Sequence, residues 1–400
     1  MAQVKPDMET FAKIKVVGVG GGGGNIVSRM VECKIQGVEL IAINADAQDL
    51  HHCLAPQKLL IGKNLTKGLG AGMNPEVGRA AAEENRDEIQ EILKGADLVF
   101  VTYGLGGGVG TGAGPIVAEA AKDVGALTVG VVTKPFAFEG TQRSHLAMDG
   151  LLQLQDNVDT LITVPNDKLL QTIDRNTPLM DAFKVVDEVL RQAVQGISDI
   201  IVTPGLVNVD FADLRAVMSG AGRALMGIGY AQGDDRAAEA ARNAISSPLL
   251  EVAIDGAKGV IFNVAGGSDM TMMEINEAAK VITESIDPQA KVIFGAVSDN
   301  SLKKGEIKIT VIAAGFGENA RFKDPNPEER RFSEPIRPEP SVFRPEPPQS
   351  QPQPQPQPEP KPQPQPIPQP KKPAFSAQVN PVDNSDEEWD IPAFIRKKMR

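Results

Sequence analysis

The sequence predicts an α/β protein with a doubly wound parallel sheet, a long central helix, a second and smaller α+β domain, and a disordered C-terminal tail. Three observations support this. In the first half, apolar β-branched runs alternate with helical stretches, which is typical of parallel sheets. Glycine-rich segments stand where strands turn into helices. Proline and glutamine dominate the C-terminal part. With 400 residues, two domains and additional segments are expected.

The composition narrows the functional class. A net charge of −11 argues against general affinity for nucleic acid. The two cysteines, Cys33 and Cys53, form no CxxC pattern, and we expect buried thiols in a reducing compartment. The N-terminus lacks the apolar core of a signal peptide, and no apolar run is long enough to span a bilayer. We therefore expect a cytoplasmic protein without direct membrane insertion.

The most informative segment is GLGGGVGTGAG, residues 104–114. It follows a strand-like run, DLVFVTY, and precedes Pro115, which we expect in the first turn of a helix. A glycine loop at a helix N-terminus suits an anion, because its backbone N–H groups approach closely and the helix dipole is favourable. The segment has no lysine, so it is not a GxxxxGK[ST] phosphate loop. The alternative is a tight turn without a ligand.

A second glycine segment follows the first predicted strand. Gly18, Gly20 and Gly23 match GxGxxG, and VELIAIN is the next strand. A dinucleotide-binding protein would place an acidic residue at the end of that strand. Here the strand ends at Asn44, with Asp46 two residues further on. The match to a nicotinamide site is imperfect.

A third glycine-rich segment, residues 66–78, precedes a predicted helix over residues 80–95. A plain surface loop is the alternative. Three such segments serve one diphosphate only if they converge on the same edge of a parallel sheet. Further strands are predicted at residues 126–136 and 160–167, with a helix at residues 144–157 between them.

A long helix is predicted over residues 177–201, with Thr177 as N-cap and Pro178 as its first residue. Asp187 lies near the edge of its apolar face, either as an ordinary solvated carboxylate or as a functional group. The apolar residues recur at three- and four-residue steps: Leu179, Phe183, Val186, Leu190, Val194 and Ile197.

Two carboxylates follow, Asp210 and Asp213, where another helix begins. The simpler interpretation is a capping pair at the helix N-terminus. The functional interpretation is a pair of carboxylates on one face that polarises a water molecule. Both interpretations can hold together.

The C-terminal part divides by composition. Amphipathic helices and apolar strands predict an α+β domain, and a Pro/Gln-rich stretch follows that cannot bury enough apolar surface to fold. At its end, Ile391, Phe394 and Ile395 share one helical face, which is typical of a partner-binding peptide. The predicted divisions are residues 1–11 (N-terminal tail), 12–176 (nucleotide domain), 177–202 (central helix), 203–317 (α+β domain), 318–380 (disordered linker) and 381–400 (partner-binding peptide).

The motifs resemble those of the FtsZ family, the bacterial cell-division relatives of tubulin. GVGGGGGN, INADAQ, TKGLGAGMNPEVG, GLGGGVGTGAG, TKPFAFEG, VPNDKLL, NVDFADLR and AISSPLLE occur in the family's order. The resemblance spans residues 14–316, and the linker and the DIPAFIR tip also resemble the family's. It implies a cytoplasmic GTPase that polymerises head-to-tail at the mid-cell division ring. It also implies GTP or GDP with Mg²⁺ held mainly by the nucleotide, and membrane-tethering and regulatory division proteins as partners of the C-terminal peptide.

The resemblance also implies the roles of particular residues. Glycines would hold the phosphates, Ala71 and Gly72 would sense the γ-phosphate, Phe183 would stack on guanine and Asp187 would accept from it. The synergy loop, with Asn208, Asp210 and Asp213, would complete the nucleotide site of the next subunit. The implied nucleotide-binding set is Gly21, Gly22, Gly23, Gly24, Asn25, Asn44, Asp46, Ala71, Gly72, Gly106, Gly107, Gly108, Val109, Gly110, Thr111, Glu139, Arg143, Asn166, Phe183 and Asp187.

Two residues depart from the family pattern. Val109 stands where the family usually has threonine, so we expect nucleotide binding to survive with a modest change in affinity or turnover. Tyr103 stands where a small residue is common. Two other classes stay open at this point: a nicotinamide-dependent oxidoreductase built on GxGxxG, and a scaffold that binds nucleotide without hydrolysing it.

Overall fold

The structure, a computed structural model, describes residues 12–170, 177–202, 207, 209–247, 254, 256–299 and 302–316. The predicted N-terminal tail, the linker and the C-terminal peptide with Ile391, Phe394 and Ile395 lie outside these residues, as does Asn208. The domain boundaries predicted in those stretches stay predictions.

In the described part of the chain, ten strands form one continuous sheet in the order β3-β2-β1-β4-β5-β6-β7-β10-β8-β9. All pairs from β3 to β7 are parallel, and β10 runs antiparallel to both β7 and β8. The strands are β1 (Ile14–Val19), β2 (Val38–Asn44), β3 (Gln57–Leu60), β4 (Leu98–Gly104), β5 (Leu127–Lys134), β6 (Thr160–Pro165), β7 (Gly222–Gln232), β8 (Gly259–Gly266), β9 (Lys291–Ser298) and β10 (Glu306–Ala314).

Helices cover both faces of this sheet, and a 3₁₀ turn spans Ala137–Glu139. No helix in the described part of the chain combines the length and the apolar character needed to cross a membrane. The helices are α1 (Gly20–Glu32), α2 (Ala47–His52), α3 (Lys63–Thr66), α4 (Pro75–Glu84), α5 (Arg86–Leu93), α6 (Gly108–Asp123), α7 (Thr141–Asn157), α8 (Asn166–Leu169), α9 (Leu179–Val202), α10 (Phe211–Met218), α11 (Arg236–Ile245) and α12 (Met272–Thr283).

The core follows the predicted doubly wound pattern. One apolar layer lies between the sheet and α1, α9 and α10, and includes Ile26, Leu190 and Leu214. A second layer lies on the opposite face under α4 to α7. The two parts of the sheet meet where Thr160 of β6 pairs with Gly222 of β7. Strand β7 was not predicted, because its glycines interrupt the apolar run.

Two predicted glycine loops are wrong in detail. The run after β1 is already the first turns of α1, which begins at Gly20, and α6 begins at Gly108, so that Pro115 lies inside the helix. The reason is tertiary packing, which overrides the poor helix propensity of glycine. A methyl group on Gly23 would lie 2.6 Å from the carbonyl oxygen of Thr102, and one on Gly112 would lie 1.9 Å from that of Pro75.

Three smaller predictions also need correction. The helix predicted over residues 80–95 is divided at Asn85, whose side-chain oxygen accepts from the N–H of Gly62 at 2.8 Å. Helix α9 begins at Leu179, and the carbonyl of Pro178 accepts its first hydrogen bonds. Cys53 is buried as predicted, but Cys33 is exposed, because it ends α1 at the surface.

The packing of α4 on α6 gives a test of the fold. We expect Gly112→Ala to lower the free energy of unfolding by about 1–3 kcal/mol, because the added methyl group overlaps Pro75. Gly107→Ala is the matched control, since a methyl group there meets no atom within 4 Å. Its effect should stay within about 0.5 kcal/mol. Urea denaturation measures both, and equal losses for the two variants would contradict the packing.

Candidate nucleotide site

The first two glycine segments meet at the carboxyl ends of β1 and β4. These neighbouring strands lead to α1 and α6, and the strand order reverses between them, which is where open α/β sheets bind ligands. A methyl group on Gly20 would lie 2.9 Å from the backbone nitrogen of Gly110, and one on Gly22 would lie 3.4 Å from that of Gly104. At position 20, where φ is +68°, only glycine permits this contact, which brings two helix N-termini together.

The third glycine segment joins the same edge, as the sequence predicted. The N–H of Gly108 donates to the carbonyl of Gly72 at 3.0 Å. The N–H of Gly70 donates to the carbonyl of Ala45 at 3.1 Å, which ties the segment to the end of β2. Gly72 has a φ of +57° and is exposed, and Ala71 is partly buried beside Gly108. The three segments therefore form one backbone surface with positive helix ends, which we call the glycine surface.

Polar side chains fix the end of β2 beside this surface. Asn44 is buried, accepts from the N–H of Ala45 at 2.8 Å and donates to Asp49 Oδ2 at 2.7 Å. Asp46 caps α2 by accepting from the N–H groups of Gln48 and Asp49. Burial and the neighbouring Asp46 raise the pKa of Asp49. Sequence reasoning missed Asp49, although its place three residues after an N-cap aspartate was a usable signal.

The remaining predicted phosphate residues lie within these turns. Gly21, Gly22 and Asn25 are exposed on the first turns of α1, whereas Gly23 and Gly24 are buried against the sheet. In the segment of residues 104–114, Gly107 is partly exposed, and Gly106, Gly108, Gly110 and Thr111 are buried. Thr111 Oγ1 accepts from the N–H of Gly106 at 2.8 Å, so this hydroxyl shapes the turn.

The two residues that depart from the family pattern, Val109 and Tyr103, are both buried in the core. The side chain of Val109 packs toward Gly20, so the contribution of this residue to a phosphate would come from its backbone N–H. The ring of Tyr103 fills the space above Gly114, where a methyl group would lie 2.2 Å from Cε1. Burial raises the pKa of the Tyr103 hydroxyl. Tyr103 therefore has a packing role with two glycines of α6.

Three polar residues, Glu139, Arg143 and Asn166, border the other side of the glycine surface. Arg143 Nη1 pairs with Glu139 Oε2 at 2.9 Å, and the Arg143 side chain lies directly over Gly106. Glu139 Oε1 also accepts from the N–H of Phe136 at 2.9 Å. Asn166 is 5% exposed, and within the described part of the chain its Oδ1 has no hydrogen-bond partner. A buried acceptor without a donor fits a site completed by a ligand.

Helix α9 adds an aromatic ring and a carboxylate. The ring of Phe183 is 38% exposed and meets Phe136 edge-to-face, with the centroids 5.6 Å apart. Its exposure differs from the burial of the apolar residues that follow it on α9, Val186, Leu190, Val194 and Ile197. Asp187 lies one turn further on. Burial raises its pKa to about 6, and nearby Arg29 partly opposes this shift. Sequence reasoning missed Phe136 and Arg29.

The acidic pair lies at the opposite end of the molecule. Asp210 caps α10 by accepting from the N–H of Ala212 at 3.2 Å, and Asp213 is exposed in its first turn. At the other end of α10, Arg215 donates to the carbonyl of Gly125 at 3.3 Å, close to the amino end of β5. The glycine surface lies at the carboxyl ends of the parallel strands. Within one molecule the structure does not bring these carboxylates to the glycines.

The described residues offer no protein metal site of the usual kind. No cluster there has three or more His, Cys, Asp or Glu side chains placed to hold a metal ion. The carboxylates of Asp46 and Asp49 are the acidic groups described above beside the glycine surface.

Two family models match separate parts of the chain. Residues 13–174 match the family model described as "Tubulin/FtsZ family, GTPase domain", and residues 222–317 match "FtsZ family, C-terminal domain". An FtsZ dimer from M. jannaschii is 47% identical with a TM-score of 0.74, and the match covers 77% of this chain and 89% of that chain.

More distant structures share the fold. The GTPγS-bound protofilament of CetZ2 from Haloferax volcanii is 22% identical with a TM-score of 0.66, and covers 76% of this chain and 94% of that chain. The GDP-bound CetZ1 monomer from the same organism is 23% identical, with a TM-score of 0.66, over 76% and 95% of the two chains. The identity and coverage of the FtsZ match, together with the two family matches, decide the assignment: the chain belongs to the tubulin/FtsZ family of GTPases.

Proposed function

We propose that this chain binds GTP at the glycine surface and polymerises head-to-tail at the cell-division ring. Hydrolysis would take place where two copies meet. The observation that carries the proposal is the position of the two functional groups at opposite ends of one molecule. Asp210 and Asp213 cannot complete their own nucleotide site, but they can complete that of the next copy. Such a heterologous contact propagates as an open filament.

The phosphates would lie on the glycine surface. Two helix N-termini would offset negative charge there without a lysine. Ala71 and Gly72 are tied to Gly108 through the hydrogen bond described above, so a γ-phosphate on one segment would act on the other. Mg²⁺ bound to the phosphate oxygens would offset more charge. Among the carboxylates of the predicted nucleotide-binding set, Asp46 lies at the end of β2, beside the glycine surface.

The ribose and the base would lie along Glu139, Asn166 and α9. The unpartnered Oδ1 of Asn166 supports this placement, since a ligand donor would satisfy it. Phe183 presents a ring for stacking on the base. The carboxylate of Asp187 can accept from the N1–H and the amino group of guanine. Adenine lacks this pair of donors, so the site would prefer guanine.

The C-terminal peptide is proposed to bind membrane-tethering and regulatory division proteins, and so to place the filament at mid-cell. Its apolar residues Ile391, Phe394 and Ile395 are followed by cationic residues, at the end of a long Pro/Gln-rich stretch. A long extended tether lets a short peptide reach a membrane-bound partner without restricting the filament.

Two alternatives were open from the sequence alone. The family matches favour the GTPase over a nicotinamide-dependent oxidoreductase. A scaffold that binds nucleotide without hydrolysis would release no phosphate at any protein concentration. A nucleotide site shared between two copies instead gives GTP hydrolysis that begins at the critical protein concentration for assembly.

Guanine recognition by Asp187 gives a pH test. Only the ionised carboxylate accepts both guanine donors, and its pKa in the free protein is about 6. GTP affinity should therefore fall by about tenfold between pH 7 and pH 5, as Asp187 takes up a proton. Calorimetry at pH 5, 6 and 7 measures this fall.

Asp187→Asn should bind GTP more weakly at pH 7 and should lose this part of the pH dependence. Protonation of the nucleotide affects wild type and variant equally, so their difference reports Asp187. Asp181→Asn on the same helix, where the side chain is half exposed, is the matched control. Identical pH profiles for wild type and Asp187→Asn would refute the assignment.

The shared site gives a second test. We expect Asp213→Ala to bind GTP and to assemble, but to hydrolyse at least tenfold more slowly. In mixtures with wild type, phosphate release should fall below the value expected from dilution, because each variant subunit inactivates a neighbour's site. Glu239→Ala is the control, since Glu239 is also exposed in the first turn of a helix. Normal hydrolysis by Asp213→Ala would rule out the shared site.

The C-terminal peptide gives a third test. Removing residues 389–400 should leave GTP-dependent sedimentation unchanged, because the proposed polymer contacts lie in the folded part. The same deletion should abolish binding to a purified membrane-tethering division protein in a pull-down. Removing twelve residues of the Pro/Gln repeat, 351–362, is the matched control and should preserve binding. Retained binding after the terminal deletion would contradict the proposal.

A further inference from the structure

Two consecutive methionines, Met272 and Met273, are exposed at the start of α12. Their side chains are 70% and 68% exposed, whereas Met30, Met218 and Met226 are buried in the core. An exposed thioether is open to oxidants, and a pair of adjacent apolar side chains gains stability when a partner covers it.

Side-chain hydrogen bonds hold the first turn of α12, which carries the methionine pair. The N–H of Glu274 donates to Thr271 Oγ1 at 3.3 Å, and the N–H of Thr271 donates to Glu274 Oε2 at 2.7 Å, which is a capping box. Arg236 is buried, and its Nε donates to Glu274 Oε1 at 2.6 Å and its Nη1 to Asp269 Oδ2 at 2.8 Å. This cation fastens the first turn of α12 to α11. A rigid first turn lowers the entropy lost when a partner binds.

The pair lies at the end of the molecule that carries the acidic pair. Helix α12 follows the carboxyl end of β8, where Gly266 pairs with Ser298 of β9. Val207 pairs with Ala296, two residues before that end, through hydrogen bonds of 3.4 and 3.3 Å. Asp210 follows three residues after Val207. Under the proposed head-to-tail arrangement, this end of each copy faces the nucleotide site of the next.

We propose that Met272 and Met273 are an oxidation site through which peroxide controls assembly, an inference that rests on the proposed function. Hydrogen peroxide transfers one oxygen atom to the thioether sulfur. An S–O bond forms, the O–O bond breaks, the sulfur loses two electrons to become a sulfoxide, and the remaining oxygen leaves as water. The polar sulfoxide must lose hydration to enter an apolar contact, so the oxidised copy assembles less well.

The test is sedimentation with GTP after limited peroxide treatment, with sulfoxide measured at each methionine by peptide mass spectrometry. We expect the critical concentration of wild type to rise at least threefold, and methionine sulfoxide reductase to restore it. Sulfoxide at the pair should be depleted in the pelleted polymer. The double variant Met272→Leu/Met273→Leu should assemble equally well before and after peroxide.

Met180→Leu is the matched control, because Met180 is also 70% exposed but lies at the start of α9. It should remain sensitive to peroxide. Protection by Met180→Leu, or a double variant as sensitive as wild type, would overturn the inference. The double variant could fail to assemble even without peroxide. In that case the wild-type protein decides: equal sulfoxide content at Met272 and Met273 in the polymer and in the supernatant would overturn the inference. If untreated wild type does not assemble with GTP, the proposed function itself fails.

Discussion

The structure depends on direct backbone contact between three glycine-rich segments at one edge of a parallel sheet. The distances around Gly20, Gly108 and Gly112 leave no room for a β-carbon. This contact fixes the starts of α1 and α6, the path of the segment after α3, and the crossing of α4 on α6. A side chain at any of these positions would widen the surface and weaken its hold on an anion. The same glycines that determine the packing would also determine binding, because the proposed nucleotide would lie where the backbones are closest.

The position of the acidic pair gives this surface its proposed role in assembly. A nucleotide bound to a single copy would meet glycines, Arg143 and Asp187, but not Asp210 or Asp213. Contact with a second copy would supply the missing carboxylates. The free subunit would then store GTP, and the polymer would consume it. In this arrangement binding and hydrolysis are separated by geometry rather than by a moving part.

Much of this arrangement follows from the sequence, because apolar periodicity and turn residues act locally. The strands β1, β2, β4, β5 and β6 and the long helix α9 were predicted, as was the convergence of the glycine segments. The helical start at Gly20 was not, since the packing that imposes it involves residues far apart in the chain. The exposure of Cys33 depends on where α1 ends at the surface. Arg29 acts on Asp187, which lies far away in the chain, and no sequence spacing reveals that contact. Asp49 was missed although its place after the N-cap Asp46 was a usable signal.

The junction between the two parts of the sheet has a mechanical consequence. Only three residue pairs join β6 to β7. Asp159 reinforces them, because its Oδ1 accepts from the N–H of Gly220 and its carbonyl from that of Gly222. Its Oδ2 accepts from the N–H of Thr128 on the neighbouring strand β5. In a filament built end to end, tension would pass from copy to copy through this short seam. Load would fall on the few bonds that cross this seam, among them the two that Asp159 accepts from Gly220 and Gly222.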